Sequence, residues 1–545
     1  MDYYDNVNTH AVSASLVEAL DPSASLTNIT LTNNGGVSLK TTNNVIVDYF
    51  MLFMRDLDIQ TSHDYLEKCW KEDPKKTVAI IFNGRDRDKG KKEKKVANDA
   101  MLWLRKNKFT TYINNIKKYI EKYGCWKDLN YIGYKLKSSD QKYELGLFAD
   151  KLIEDKANLS NNKSVSLCAK WVSSENDKYD KKRHYAKKIA TIIYGSKDTN
   201  KMEKYRKEYL VPLRTHIDIV EKKLCEQKWG DINYESVPAV ASKNLKNTFI
   251  KHDEARYKQY LEDVKNNKKK INVTGILPHE LVGNYITNMR CFDNVPICET
   301  TEMQWRTIIE NVKKSGNFNN TISVVDLSGS MFNAANGSIP AQVAIALGII
   351  TSICCTGQFK NKLITFSEDP EIVKLTDKLD EDTDLIPTLH ECISNLLKID
   401  YGYSTNFVKC NDLIINYAKL FNVPQENMPK KMFVFTDMQF NDACSNERIT
   451  FENNDSNDSL DTVYKTIVKK YKANNYDAPK FIFWNLNSNS REVFPVNCKT
   501  EGTAIVSGFS EQLLKIFMNY DDFKPEFIVD EILEPYIKEV IICDD

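Results

Sequence analysis

The chain has 545 residues, equal numbers of basic and acidic side chains (75 each) and a hydrophobic content of 42%. The chain is longer than one hydrophobic core ordinarily organises, so two or more domains are expected. Its composition excludes a disordered chain. The charge is unevenly spread: residues 318–545 hold 20 Lys+Arg against 33 Asp+Glu, which leaves 55 against 42 for residues 1–317. A basic front half and an acidic back half favour different partners for the two halves.

The cysteines and the N-terminal residues indicate in which cellular compartment the protein is expected. The 13 cysteines include no Cys-x-x-Cys pair, which indicates buried thiols in a reducing environment rather than disulfides or a zinc site. The polar segment Met1–Asp5 has no apolar run of a signal peptide. The longest weakly polar stretch, 339–355, is interrupted by Pro340 and Gln342 and is interpreted as a core helix rather than a membrane span. A soluble, intracellular protein is therefore expected.

Taken in chain order, the sequence first predicts an arm and then a helical domain. Residues 1–44 are rich in Asn, Thr and Ser, which is typical of an irregular arm. From Val45 the apolar residues recur at helical spacing. Helix-like segments separated by short breaks continue to about residue 313, and this pattern favours an irregular HEAT-like α-solenoid over residues 45–317.

After residue 317 the pattern changes to alternating strands and helices. The predicted strands are 321–325, 361–366, 371–375, 431–436, 480–485 and 503–506. The predicted helices are 340–355, 384–397, 407–420, 461–474 and 510–518. The sequence thus predicts a doubly wound, Rossmann-like α/β domain over residues 318–545.

Oxygen-bearing side chains stand at three places where predicted strands or loops meet helices. Asp326, Ser328 and Ser330 follow the first strand, Thr405 lies in the loop before the helix at 407–420, and Asp437 follows the strand at 431–436. The carboxyl ends of parallel strands gather at one edge of a sheet, and carboxylate and hydroxyl oxygens suit a hard divalent cation. The alternative, that the aspartates only cap helices, explains one loop but not three.

These residues resemble the metal-ion-dependent adhesion site (MIDAS) of von Willebrand factor A domains. The resemblance implies that Ser328, Ser330 and Thr405 contact the metal directly and that Asp326 and Asp437 act largely through water. With few charges and several neutral hydroxyls, we expect weak binding of Mg²⁺ or Mn²⁺ with one position open. In the resembled family a carboxylate of a protein partner fills that position.

Several short segments are similar to a wider family. They include Tyr123–Leu129, Leu167–Trp171, Leu277–Val282, Phe435–Phe440 and Phe483–Leu486. Together they resemble the family called domain of unknown function 2828, and the chain looks like a giant-virus, mimivirus-like member. The layout of that family, helical repeats followed by a von Willebrand A domain, resembles the Ro autoantigen (TROVE) proteins. The resemblance implies an RNA-binding function for the helical domain.

One lysine-rich run is the candidate nucleic-acid site within the helical domain. Its basic residues alternate with three acidic ones and are Arg85, Arg87, Lys89, Lys91, Lys92, Lys94 and Lys95. Such a turn could contact phosphates, and the alternative is a solvated loop between helices. Lys181–Arg183 and Lys268–Lys270 are shorter versions, and Trp126 and Trp171 are either base-stacking or core residues.

The function expected from these features is that of a non-enzymatic scaffold of ribonucleoprotein type. Its helical domain would bind structured RNA, and its A domain would bind Mg²⁺ (or Mn²⁺) and a protein partner. The alternative is a metal-dependent protein adaptor or virion component without RNA. No phosphate loop, no Gly-x-Ser-x-Gly elbow and no histidine cluster is present in the sequence, so no enzymatic activity is expected. The expected location is the cytoplasm of the infected host cell or the virion.

Overall fold

The computed structural model of the chain describes residues 28–31, 37–177, 180–217, 219–286, 295–316, 318–332, 340–366, 370–377, 385–398, 407–438, 460–486, 493–521 and 523–543. The predicted fold class is confirmed within these ranges. A helical N-terminal part is followed by an α/β part built on a mostly parallel sheet.

The N-terminal part consists mainly of helices. In chain order they are α1 (Val45–Leu52), α2 (Ile59–Glu72), α3 (Pro74–Arg85), α4 (Lys94–Asn107), α5 (Phe109–Lys118), α6 (Trp126–Lys135), α7 (Lys142–Ser160), α8 (Cys168–Trp171), α9 (Asp180–Arg183), α10 (Tyr185–Tyr194), α11 (Lys201–Lys204), α12 (Val211–His216), α13 (Val220–Cys225), α14 (Ala239–Lys265), α15 (Pro278–Val282) and α16 (Glu299–Lys313). Two π-helical turns, Tyr119–Tyr123 and Tyr205–Leu210, continue α5 and α11. In the described ranges, no helix combines the length and apolar character that crossing a membrane requires.

Side-chain caps explain where several of these helices begin. The Asn44 side chain accepts hydrogen bonds from the N–H groups of Ile46 and Val47 at the start of α1. At the start of α3 the Asp73 carboxylate accepts a hydrogen bond from the Lys76 N–H, with a nitrogen-to-oxygen distance of 2.9 Å. Such caps satisfy N–H groups that have no partner inside a helix. From α1 to α5 each helix packs against the next in the chain, as a solenoid of helix pairs requires.

The C-terminal part is organised around one six-stranded sheet. Its elements are β3 (Phe318–Asn319), β4 (Thr321–Asp326), α17 (Pro340–Ile353), β5 (Cys355–Thr356), β6 (Lys362–Phe366), β7 (Ile372–Lys374), α18 (Leu389–Leu396), α19 (Phe407–Leu420), β8 (Lys431–Thr436), α20 (Leu460–Ala473), β9 (Lys480–Asn485), β10 (Thr503–Ser507), α21 (Ile516–Asn519) and α22 (Pro525–Ile537). The strand order is β10-β9-β8-β4-β6-β7, parallel except for β7. If these six strands are numbered 1 to 6 in chain order, starting at β4, the order read from β7 is 3-2-1-4-5-6. This is the strand order of doubly wound folds, and the direction in which strands are added reverses between β4 and β8.

Alternate residues of the central strands face opposite helical layers. Met432 and Val434 of β8 pack in the cluster that contains Ile414 of α19. Phe433 and Phe435 pack in the cluster that contains α17 and much of the helical part. Both faces of β8 are therefore buried, which explains the continuous apolar run from which this strand was predicted.

The six predicted strands correspond to β4, β6, β7, β8, β9 and β10, with ends that differ by at most one residue. The short pair β3 and β5 was not predicted. The segment predicted as one helix at 510–518 is a 3-10 helix, Glu511–Lys515, followed by α21. The helix predicted from residue 384 begins at Leu389, because the Thr388 side chain caps it.

The predicted irregular arm is in part a β-hairpin. Within residues 28–44 the strands β1 (Ile29–Leu31) and β2 (Val37–Leu39) pair antiparallel. The N–H of Leu39 donates to the Phe494 carbonyl (3.0 Å), and the N–H of Phe494 donates back to Leu39 (2.9 Å). The strand β2 is thus fixed by hydrogen bonds to a segment far along the chain, which local composition does not reveal.

The end of the chain packs on the helical part rather than on the sheet alone. The helix α22, which was not predicted, lies against α3, and Lys76 forms an ion pair with Asp530 at 2.6 Å. Beyond it, the Asn115 side chain bonds both the N–H (3.1 Å) and the carbonyl (2.6 Å) of Ile541. This strap joins the two parts of the molecule.

A second connection joins α16 to the α/β part. The Glu302 carboxylate accepts hydrogen bonds from the N–H groups of Leu389 (2.8 Å) and His390 (3.1 Å), and from the Tyr285 hydroxyl (2.7 Å). A carboxylate at this place satisfies the free N–H groups and the positive end of α18. The helical part therefore caps a helix of the other part.

A buried lysine lies where the helical part meets the end of β10. Lys91 is 1% exposed, and its ammonium donates to the carbonyl of Phe50 and to the Ser507 hydroxyl (2.7 Å). Burial lowers the pKa of Lys91 to about 7, and the nearby Glu93 carboxylate opposes that shift only in part. The interface thus contains a titratable group that changes charge near neutral pH.

The stability of the protein should therefore rise with pH above 7. Between about pH 7 and 10.5 the folded state has released the Lys91 proton and the unfolded state still holds it, so raising the pH favours folding. The expected slope is at most about 1.4 kcal/mol per pH unit. Urea unfolding of the wild type and of Lys91→Met at pH 7.0 and 9.0 measures it. An equal pH dependence in both proteins would contradict this assignment.

Candidate metal centre and nucleic-acid surface

Asp326 is the last residue of β4, at the carboxyl edge of the sheet where the strand order reverses. Its side chain is fully buried. One carboxylate oxygen accepts a hydrogen bond from the Ser328 N–H (2.9 Å) and the other accepts one from the Thr436 hydroxyl (2.7 Å). These two bonds fix the orientation of the carboxylate, and each oxygen can still accept a further bond.

The two predicted serine ligands lie beside this carboxylate. The Ser328 and Ser330 hydroxyl oxygens are 3.1 Å apart, at the start of the 3-10 helix Gly329–Phe332. Ser328 is nearly buried and Ser330 is exposed. The loop therefore brings two neutral oxygen donors to one point, with one of them open to solvent.

Asp437 adds a second buried carboxylate at the same edge. It follows β8 directly and is 2% exposed. Burial and the charge of Asp437 raise the pKa of Asp326 to about 6, whereas hydrogen bonds from Ser328 and Thr436 oppose that rise. The structure thus brings Asp326, Ser328, Ser330 and Asp437 to one edge, as predicted. Thr405 lies outside the described residues.

The donor set fits a hard divalent cation. A cation between two mutually repelling buried carboxylates would lower their electrostatic cost, and hydroxyl and carboxylate oxygens are ligands of the type that Mg²⁺ and Mn²⁺ prefer. In the ranges that the structure describes, three or more His, Cys, Asp or Glu side chains never group together as a metal site. A cation held here would therefore depend on hydroxyls.

Sequence reasoning missed two residues that shape this site. Thr436 orients Asp326 through its hydroxyl, and its position before Asp437 at the end of a buried strand was the available signal. Met438 has a positive φ of 63° and is 1% exposed. A left-handed conformation is unfavourable for this side chain, so burial of Met438 holds strained backbone directly after the second aspartate.

Four of the seven basic residues in the run predicted as a nucleic-acid site are buried or ion-paired within the protein. Arg85 is 4% exposed and bonds the buried Asp128 carboxylate (2.7 Å), and Lys94 reaches the same carboxylate at 3.3 Å. Lys91 is buried in the interface, and Lys92 pairs with Glu511 at 3.1 Å.

Three members of the run remain exposed, namely Arg87, Lys89 and Lys95. The other four stabilise the fold. In this structure the buried cations of Arg85 and Lys91 cannot reach a phosphate. The run is therefore divided between exposed cations and cations that are paired or buried within the protein.

The structure also gives the environments of the two candidate tryptophans and of two histidines. Trp126 is buried against Phe148, whereas Trp171 is half-buried with the Lys127 ammonium 4.9 Å from its ring. His279 is buried against Phe509, and burial holds its pKa well below the ordinary value. His390 packs on Tyr285.

The helices of the first part and the strand order of the second define a protein that joins a helical domain to a doubly wound α/β domain of the von Willebrand factor A type. The family described as Domain of unknown function (DUF2828) matches residues 32–144 and 145–318, and Domain of unknown function (DUF7788) matches residues 320–535. The chain belongs to the DUF2828 family.

A relative from Acanthamoeba polyphaga mimivirus supports this assignment. "Uncharacterized protein L728" is 32% identical over 547 residues, which span 94% of this chain and 88% of the relative. The chain is accordingly a mimivirus-like member of the family. Among solved structures, the Ro (RSR) protein of Deinococcus radiodurans aligns with a TM-score of 0.38 at 11% identity, over 88% of this chain and 99% of that chain.

The structural role of Arg85 can be tested against its exposed neighbour. Replacing Arg85 by Met leaves the Asp128 carboxylate buried, and Arg85 and Lys94 are what hold the pKa of that carboxyl low although burial acts to raise it. The expected loss of unfolding free energy is about 3–5 kcal/mol. The matched change Arg87→Gln should cost at most about 0.5 kcal/mol. Urea denaturation measures both, and equal losses would contradict this role.

Proposed function

We propose that the protein is a non-enzymatic binding protein whose A-like domain holds Mg²⁺ or Mn²⁺ and, through it, a carboxylate of a protein partner. The observation that carries the proposal is the meeting of Asp326 and Asp437 with two serine hydroxyls at the carboxyl edge of the sheet. Two buried carboxylates cost free energy unless a cation or protons compensate them.

The division of roles is the one that the resemblance to the metal-ion-dependent adhesion site implies. Ser328 and Ser330 would touch the cation through their hydroxyl oxygens, with Thr405 as the expected third hydroxyl ligand. Asp326 and Asp437 would hold water molecules of the cation from below. Few charged ligands leave the cation with net positive charge, which favours an acidic group from a partner in the open position.

The helical part is proposed to bind RNA, which makes the whole chain a scaffold between RNA and a protein. Net charge supports this: residues 1–317 hold 55 Lys+Arg against 42 Asp+Glu, and a basic surface attracts phosphates. The competing function is an adaptor or virion component in which the basic part faces another protein. Binding of RNA by the purified full-length chain distinguishes the two.

The metal proposal predicts how Asp326→Asn changes the melting temperature without a divalent cation and how it changes the response to Mg²⁺. At pH 7.5 in EDTA, Asp326→Asn should raise the melting temperature, because it removes one of two repelling buried charges while keeping the size of the side chain. With 5 mM Mg²⁺ the wild type should gain stability by ligand linkage, and Asp326→Asn should gain none. Thermal unfolding monitored by circular dichroism measures both.

Two controls make the result specific. Asp412→Asn alters an exposed ion pair with Lys470 in the same domain and should respond to Mg²⁺ as the wild type does. A carboxylate-bearing partner should dissociate from Asp326→Asn and, in EDTA, from the wild type. An equal stabilisation of Asp326→Asn by Mg²⁺ would remove the metal proposal.

Cation binding should also depend on pH. The cation requires the ionised form of Asp326, whose pKa is raised to about 6 in the folded protein. Affinity should therefore be constant above pH 7 and fall by up to about tenfold per pH unit below 6. Titration calorimetry with Mn²⁺ at pH 7.5 and pH 5.0 measures this. Equal affinity at the two values would show that Asp326 is not part of the site.

A further inference from the structure

Two segments of the helical part hold a dense set of basic side chains. They are residues 131–142, at the end of α6 and the start of α7, and residues 181–188, across α9 and α10. Asp140 is their one acidic residue. Six exposed lysines, here called the lysine patch, are Lys135, Lys137, Lys142, Lys181, Lys182 and Lys187.

Direct contacts join the two segments into one surface. The Lys188 ammonium donates to the Ser138 hydroxyl (2.6 Å) and to the Gln141 side-chain oxygen (3.0 Å). The Arg183 guanidinium donates to the Tyr134 carbonyl (3.5 Å) and lies 5.5 Å from the centre of the Tyr134 ring. Because these two cations bridge the segments, the lysines of one segment adjoin those of the other at this face.

A buried aspartate fixes the backbone beneath this face. Asp180 is 6% exposed, and its carboxylate accepts hydrogen bonds from the N–H groups of Asn176 (2.9 Å) and Ala186 (2.8 Å). Between α9 and α10 the chain passes through His184 in a left-handed conformation, with φ of 55°. A strained turn that is held by a buried carboxylate is a built surface rather than a loose loop.

Within the part of the chain that the structure describes, the charges of the lysine patch have no acidic side chain in ion-pair contact. By contrast, Lys258 and Lys265 of α14 pair with Glu254 and Glu262. Unneutralised cations on one face attract a polyanion and gain affinity from release of its counterions.

Two half-buried aromatic rings lie among these cations. The Lys135 ammonium is 5.6 Å from the Tyr131 ring, and the Tyr134 ring lies under Arg183. Proteins that bind single strands combine a positive track for the backbone with aromatic rings on which bases stack. A duplex, whose bases are already stacked, would use only the charges.

We propose that the lysine patch binds the phosphate backbone of single-stranded RNA and that Tyr134 stacks on a base. This inference rests on the proposed RNA binding of the helical part and moves the site from the run 85–95 to this face. If all six lysines contact phosphates, the logarithm of the affinity should fall with the logarithm of salt concentration with a slope of about −4.

The test compares two triple variants of the full-length chain. One is Lys181→Gln, Lys182→Gln, Lys187→Gln, and the control is Arg87→Gln, Lys89→Gln, Lys95→Gln, which removes the same charge from the exposed part of the original run. The probe is a fluorescein-labelled, mixed-sequence 16-nucleotide RNA, followed by anisotropy between 50 and 300 mM NaCl. The patch variant should bind at least tenfold more weakly, with a slope about 2 smaller in magnitude. The control should stay within twofold of the wild type.

A further variant separates the contribution of the Tyr134 ring to RNA binding from that of the lysine charges. Tyr134→Leu should weaken binding of the single strand severalfold without changing the salt slope, and should leave binding of a blunt duplex of the same sequence unchanged. Equal melting temperatures would show that the variants are folded. An unchanged single-strand affinity in Tyr134→Leu would overturn the stacking assignment.

The remaining outcomes are distinct. A wild type that fails to bind the RNA at 50 mM NaCl would overturn the proposed RNA function itself. A wild type that binds, with a patch variant equal to the control, would overturn only the placement of the site. Binding to vesicles containing phosphatidylserine, without binding to RNA, would assign the patch to a membrane surface instead.

Discussion

Burial of apolar surface between the helical part and the sheet is the constraint on which the rest of the molecule depends. One cluster of buried side chains runs without interruption from Tyr49 in α1 through Trp305 in α16 to Trp484 in β9. Removing either part would expose the side chains that the other part covers, and such surfaces drive association or unfolding. The two parts therefore share one core, although different families match them.

Because of this shared core, the helical part covers some strand ends at the carboxyl edge of the sheet and leaves others for the candidate metal centre. The end of β10 faces the helical part, where Ser507 bonds the buried Lys91. The ends of β4 and β8 carry Asp326 and Asp437 instead. The helical part also contacts two helices of the α/β part. Glu302 bonds α18, and the Gln342 side chain of α17 donates to the Ile286 carbonyl (2.7 Å).

The sequence predicted those features that local pattern controls. Runs such as Lys431–Thr436 are apolar and β-branched or aromatic, so their strands were found to within a residue. Asp326 and Asp437 were placed together because parallel strands end at a common edge. The positions of buried cations could not be predicted in this way. Lys91 and Lys92 lie in a polar run that looks solvated, and their partners Ser507 and Glu511 are more than 400 residues away.

The contact between α3 and α22 has a consequence for how the protein is made. Lys76 and Asp530, which pair across this contact, are separated by 454 residues. At roughly 5–20 residues per second, a ribosome needs about 20–90 s to synthesise the intervening chain. During that time the face of α3 that α22 covers has no native partner. The helix α3 therefore completes its packing only after α22 has been synthesised.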